Sequence, residues 1–270
     1  MRCFPSAWPP VPDAPFDPRR LKAIVFDLDG TLYRQDPLRK AMLLRLVRGH
    51  ALRPLSGLRT MRVLNAYRKA QEHLRDSAAS SPPSANLAEA QIRLTCERTR
   101  AAPGFVEGCV ARWMEQEPLD LVARNIQPGL LTFLQACKAR GLGLGVLSDY
   151  PAHAKLNALG LDGFFDIVLT AQSPEVGVFK PHPRGLLVTA EQLRLSPSEC
   201  VYIGDRAEVD GRAAAAAGMA CFIIAQRTDY RSLGTWTPVA GYARLHELLL
   251  GSGDRQRTRP AAAQPRLNGG

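Results

Sequence analysis

The stretch AIVFDLDGT, residues 23–31, decides how the rest of the chain is read. Its opening run, AIVFDL (23–28), is short and mostly apolar, which suits a strand buried on both faces in a parallel sheet. Asp27 and Asp29 stand one residue apart at the strand end and point the same way, and Gly30 permits a tight turn behind them. Alone, such a pair of acids beside a glycine is also an ordinary turn signal, so the reading depends on what surrounds it.

Four further runs share the apolar texture: LGLGVLS (142–148), DIVLT (166–170), CVYIGD (200–205) and MACFII (219–224). Helical spacing lies between them. Leu130, Leu131, Leu134, Cys137 and Lys138 follow Pro128 and stop at Gly141, Pro151–Leu159 ends at Gly160, and Glu208–Ala217 ends at Gly218. This alternation predicts an α/β fold, a Rossmann-like parallel sheet with right-handed crossovers. Residues 34–125 break the rhythm. They are rich in helix formers and predict about four helices, with a Ser/Pro-rich loop near 77–86. The expected organisation is a catalytic core of 20–33 and 126–250, a helical cap of 34–125 inserted after the first strand, and disordered tails at 1–19 and 251–270. Those tails offer too little apolar surface to offset their chain entropy.

The chain has 270 residues, 46% hydrophobic and 22% charged, which excludes wholesale disorder and collagen-like or coiled-coil chains. No apolar run approaches the roughly 18 residues of a membrane-spanning helix, and the first residues lack the apolar core of a secretory signal. Six scattered cysteines, with no CxxC pair and no Cys/His cluster, read as reduced thiols. A cytoplasmic protein is expected. The net charge of +10 is local: residues 34–75 carry eleven Lys/Arg against Asp36 and Glu72, and residues 251–270 carry four Arg against Asp254. Such a run is either a solvated face or an anion-attracting surface. With the main body close to neutral, nucleic acid is disfavoured as a partner. Peripheral membrane contact by the basic cap and the oligomeric state are left open.

Three more polar clusters accompany Asp27 and Asp29. Ser148-Asp149 ends the second run, Lys180-Pro181 in GVFKPHP precedes a helix, and Asp205 and Asp210 in GDRAEVD follow the fourth. Ligands of open α/β sheets bind outside the carboxyl ends of the strands, and Asp27, Asp29, Ser148 and Asp205 all fall there. Two carboxylates about 4 Å apart repel by roughly 4 kcal/mol at an effective dielectric of about 20, so gathering them requires a cation. Hard oxygen ligands without His or Cys favour Mg²⁺. A divalent metal, a lysine and a hydroxyl donor facing a carboxylate are the parts of phosphoryl transfer. His50, His73, His153 and His246 have no partner at ligand spacing and read as surface residues, and His182 as a loop residue. Tyr67, Trp113 and Met114 read as cap core.

Taken in order, Asp27-Leu28-Asp29-Gly30-Thr31, Ser148, Lys180-Pro181 and Gly204-Asp205 with Asp210 resemble the four motifs of the haloacid dehalogenase (HAD) superfamily. The resemblance is to its phosphatase type, with a helical cap between the first and second motifs. The stretches LGLDGFFDIVLTA (159–171) and AAAAAGM (213–219) extend the match, while the cap matches no particular subfamily. The resemblance implies that Asp27 is the nucleophile and Asp29 the general acid and base. It implies Mg²⁺ held by Asp27, Asp205 and the backbone carbonyl of Asp29. Ser148, the amide of Asp149 and Lys180 would bind phosphate, and Thr31 and Asp210 would orient the site. Asp149-Tyr150 departs from the Asn that follows Ser in many such phosphatases. The implied function is Mg²⁺-dependent hydrolysis of a small phosphate monoester through an aspartyl-phosphate. The alternatives are a phosphoglycolate-phosphatase-like or nucleotidase-like specificity, a phosphosugar mutase, or a non-catalytic anion-binding module. Asp29 favours the phosphatase, because dehalogenases of the superfamily lack an acid/base Asp there.

Overall fold

Alternate residues of Ala23–Phe26 (β1) serve opposite faces of a sheet, and all four are fully buried. The computed structural model describes residues 17–78, 83–225 and 236–251. After β1 the chain runs through α1 (Gln35–Gly49), α2 (Pro54–Ser77), α3 (Leu87–Thr99) and α4 (Pro103–Val110). A π-helical turn (Ala111–Gln116), α5 (Leu119–Arg124) and α6 (Leu130–Ala139) follow. It then alternates through β2 (Gly143–Ser148), α7 (His153–Ala158), β3 (Ile167–Thr170), α8 (Arg184–Gln192) and β4 (Cys200–Gly204). The last elements are a π-helical turn (Ala207–Gly211), α9 (Arg212–Ala217), β5 (Ala220–Ile224), β6 (Thr237–Val239), α10 (Tyr242–Leu245) and a further π-helical turn (His246–Leu250).

The six strands form one parallel sheet in the order β3-β2-β1-β4-β5-β6. The winding direction reverses between β1 and β4, the crevice where ligands of such sheets bind. Ile24, Phe26, Val146 and Ile203 pack on one face against Phe133, Leu134 and Tyr242. Val25, Leu147, Tyr202 and Cys221 pack on the other against Leu186, Ala213 and Ala214.

The five strands read from the sequence are present, each shortened by one or two residues at its ends. β6 was not expected: a three-residue edge strand with Pro238 in the middle has neither alternation nor a long apolar run. The described residues begin at Asp17, inside the segment expected to be a tail. There Asp17 accepts a hydrogen bond from the Arg19 amide (3.0 Å) and caps a 3-10 turn, Pro18–Arg20. The rest of both expected tails lies outside the described residues. Tyr67 sits with Val63, Val106, Cys109 and Val110 in a small core within the helical insertion, and Met114 packs against it. His73 and His153 are exposed as expected. His50 and His246 are half-buried: His50 lies 5.4 Å from the buried Trp113 ring, and His246 lies edge-on to Phe133 at 6.5 Å. The five described cysteines are unpaired. Among the described residues no helix is long and apolar enough to cross a membrane.

Candidate active site

Asp27 is the first residue beyond β1, and its amide extends the sheet by donating to the Ile203 carbonyl at 2.8 Å. Its carboxylate accepts from Lys180 Nζ on one oxygen and from Thr31 Oγ1 on the other, the latter at 3.1 Å. The Lys180 ammonium is 2% exposed and also donates to Asp210 (2.8 Å) and Tyr202 Oη (2.9 Å). A lysine has three N–H donors, so all of its donors are engaged. Asp210, fully buried, spends its second oxygen on the backbone amides of Asp205 (3.2 Å) and Arg206 (3.0 Å), which shapes the turn after β4.

That turn aims Asp205 back over the β1 loop. A Cβ on Gly30 would stand 2.1 Å from Asp205 Oδ2, and Gly30 has φ +101°, so only glycine lets the two loops close on each other. Gln127 donates to the Gly30 carbonyl (3.1 Å) and Tyr242 to the Thr31 carbonyl (3.0 Å), pinning the loop from the segment before α6 and from α10.

Burial pushes the Asp27 carboxyl up to about 7 despite Lys180, with Asp210 adding to the rise. Burial, then Asp27 and Asp210, pushes Asp205 up to about 8. Burial works against the Lys180 ammonium, but Asp210 and Asp27 outweigh it and hold it well above its usual range. One oxygen each of Asp27, Asp205 and Asp210 lies within 4.8 Å of the others, and Asp205 Oδ1 is buried without a partner. Asp210 spends both oxygens on Lys180, Tyr202 and two backbone amides, and Asp27 spends its two on Lys180 and Thr31. Asp205 is therefore the carboxylate with a buried oxygen still open to a cation, with Asp27 beside it. The residues fit a hard divalent ion.

Asp29 is treated differently. Burial pushes its carboxyl up, but the Lys155 ammonium (2.6 Å) and the Tyr33 hydroxyl outweigh burial and hold it below its ordinary value. Ser148, at the end of β2, is 1% exposed and accepts from the Tyr150 amide at 3.2 Å. The Asp149 carboxylate turns toward the insertion, where Gln71 (3.0 Å) and Arg75 (2.8 Å) of α2 donate to it and Arg206 stands 3.6 Å away. A cleft of about 940 Å³ opens above these groups between sheet edge and insertion. Its floor includes Asp27, Asp29 and Lys155, and Arg39, Arg62 and Arg68 are among its walls.

The sequence reading placed Asp27, Asp29, Thr31, Ser148, Asp149, Lys180, Asp205 and Asp210, and the structure brings all eight to this edge. It missed Lys155, Tyr33, Arg206, Gln71 and Arg75. A signal for Lys155 exists: it shares the buried stripe of α7 with Ala152, Leu156 and Leu159. A lysine there must point at an acid. Gln71 likewise sits on the buried stripe of α2 with Tyr67 and Ala70.

The model of the haloacid dehalogenase-like hydrolases matches residues 21–218. A glyceraldehyde 3-phosphate phosphatase of Methanopyrus kandleri is 29% identical over 79% of this chain and 87% of that protein. A phosphoglycolate phosphatase of Rhodospirillum rubrum is 27% identical over 90% of this chain and 98% of that protein. The crystal structure of a HAD phosphatase from Thermococcus onnurineus superposes with a TM-score of 0.55 at 24% identity, over 86% of this chain and 99% of that one. With its four motifs gathered at the switch point of a 3-2-1-4-5-6 sheet, the chain belongs to the haloacid dehalogenase-like hydrolases.

Proposed function

We propose that the chain is a Mg²⁺-dependent phosphatase that cleaves a phosphate monoester through an aspartyl-phosphate on Asp27. The observation that carries this reading is the separate tethering of two aspartates one residue apart. Lys180 and Thr31 hold Asp27 deep in the site, while Lys155 and Tyr33 hold Asp29 beside it. Phosphatase relatives over most of the chain support it.

Asp27, Asp205 and the Asp29 carbonyl would hold the Mg²⁺. The ion supplies charge neutralisation among the carboxylates and polarises the phosphoryl group. An Asp27 oxygen attacks phosphorus as the bond to the leaving oxygen breaks. Asp29, which Lys155 and Tyr33 hold below its ordinary value and so ionised at rest, takes up the proton of the phosphate monoanion and passes it to that oxygen. Asp29 then takes a proton from water, whose oxygen attacks phosphorus, breaks the bond to Asp27 and frees phosphate. Ser148, the Asp149 amide and the positive charge of Lys180 receive the phosphoryl oxygens, with Thr31 and Asp210 as orienting residues. Residues 34–125 act as the cap over this edge, and 20–33 with 126–250 as the core. The arginines of the cleft favour a phosphate monoester with a second anionic group, a class that includes phosphoglycolate.

The test is Asp29→Asn on an aryl phosphate, whose good leaving group needs no acid. A burst of phenolate followed by slow turnover is expected, because the aspartyl-phosphate forms and then waits for a base. Equal loss on good and poor leaving groups, without a burst, would remove the acid/base role.

A further inference from the structure

Among the described residues eight large apolar side chains are exposed, and seven of them fall within residues 43–61 of the helical insertion. They are ordered in space. Leu43 and Val47 lie one turn apart on α1, and Met61, Leu58 and Leu55 lie at successive turns of α2. Leu52, 98% exposed, sits in the turn between the two helices. Leu43 and Met61 also line the cleft, so the stripe runs from the mouth of the active site to the tip of the hairpin.

The same segment has no acidic residue between Asp36 and Glu72. Arg48 and Arg53, both exposed, stand on either side of Leu52 in sequence, whereas the Arg59 guanidinium is stacked over the Phe105 ring at 4.4 Å. Arg45, by contrast, is bound by Asp120 at 2.7 and 2.8 Å and is turned away from this role.

We propose that this stripe is a docking surface for an anionic lipid bilayer, with the leucines of the hairpin tip entering the interface and Arg48 and Arg53 meeting the headgroups. The charge selects the partner. A second copy of the chain would set arginine against arginine with no acid in the segment to relieve them. Nucleic acid offers phosphates but nothing that takes up six exposed aliphatic side chains. An anionic bilayer supplies both an apolar layer and negative charge at its surface, and amphipathic, Arg-rich segments bind there by the sum of the two. Docked this way, the cleft mouth at Leu43 and Met61 opens at headgroup level. The inference does not depend on the phosphatase reading, because docking requires no catalysis.

The test is co-sedimentation of the full chain with phosphatidylcholine vesicles, with and without one third phosphatidylserine. Binding to the anionic vesicles at least tenfold above neutral ones is expected, falling with salt. Leu52→Glu with Leu55→Glu should abolish it, and Arg48→Ser with Arg53→Ser should weaken it severalfold. All four side chains are exposed and outside the catalytic groups, so kcat/KM on a soluble aryl phosphate and the thermal midpoint should stay at wild-type values. Absent vesicle binding, binding indifferent to phosphatidylserine, or binding that survives the leucine variant would each overturn the proposal. So would a dimer in sedimentation velocity that the leucine variant dissociates, since a second copy would then cover this face.

Discussion

Two buried ionic clusters meet at the carboxyl edge of the sheet, and they are built differently. The Asp27–Lys180–Asp210 cluster is drawn from β1, the segment before α8 and the turn after β4, elements the sheet already holds together. The Asp149 cluster joins β2 to α2 of the insertion through Gln71 and Arg75, partners that are 78 and 74 residues away in sequence. In the first, strand pairing fixes the side chains before any ion pair forms. In the second, the polar contacts themselves help to hold the insertion against the core. A preorganised site and a docked one should therefore respond differently to substitution, salt and pH.

The largest effect is expected at the preorganised site. Asp27→Asn, which should keep the fold, turns the proposed attacking carboxylate into an amide and should lower turnover of an aryl phosphate at least a thousandfold, about 4 kcal/mol of barrier. Retention of more than a tenth of the wild-type rate would rule out the covalent route.

Next comes stability. Lys180→Met leaves Asp27 and Asp210 buried without their cation and should cost about 3–5 kcal/mol in denaturant unfolding of the metal-free protein. Arg75→Met, at the docked cluster, leaves Gln71 and Arg206 near Asp149 and should cost about 1–2 kcal/mol. Equal costs would erase the distinction between the two clusters.

The same distinction explains what could be read from the sequence. Asp27, Ser148 and Asp205 were legible because a buried strand has one end that faces ligand, and short apolar runs mark that end. Lys180 and Asp210 stood out as polar residues beside apolar runs, and the motif resemblance supplied their roles. Lys155, Gln71 and Arg75 lie on helices whose periodicity shows which side is buried but not which partner waits there. The contacts of Gln71 and Arg75 with Asp149 depend on how the insertion meets the core, and that of Lys155 with Asp29 on how α7 packs beside the end of β1; nothing local encodes either. β6 escaped notice because its pairing with β5 lends it an order its own three residues do not signal.

A smaller effect concerns metal and pH. Asp27 and Asp205 have folded-state values raised above 3.8, to about 7 and about 8. Raised carboxyls leave stability intact below about pH 4 and withdraw it as pH climbs through 7 and 8, where the folded state must carry both charges. Bound Mg²⁺ relieves that burden. The gain in thermal midpoint on adding Mg²⁺ should thus be a few degrees larger at pH 8 than at pH 5.5. His182, which burial holds below its usual value, shifts stability the opposite way, but it does so with and without metal and cancels in the difference. A gain that is flat with pH would mean that Asp27 and Asp205 do not receive the ion.

The smallest effect belongs to the exposed charge of the insertion. Of the eleven Lys/Arg between residues 34 and 75, Arg39, Arg62, Arg68 and Arg75 line the cleft. Exposed charges act through solvent, where the screening length is about 8 Å at physiological ionic strength and about 3 Å at 1 M. The groups that receive the phosphoryl end are buried and screened far less. A phosphate ester with a second anionic group should therefore lose kcat/KM severalfold from low to high salt, while an aryl phosphate, held by the core alone, changes less. Arg39→Glu with Lys40→Glu should reproduce the loss at low salt and leave little for added salt to remove. The Arg39 side chain is 61% exposed and only 3.9 Å from Asp36, so reversing it should leave stability near wild type. Should both substrates respond alike to salt and to the charge reversal, the basic run is a solvated helix face, and the difference between the two regions lies in their packing alone.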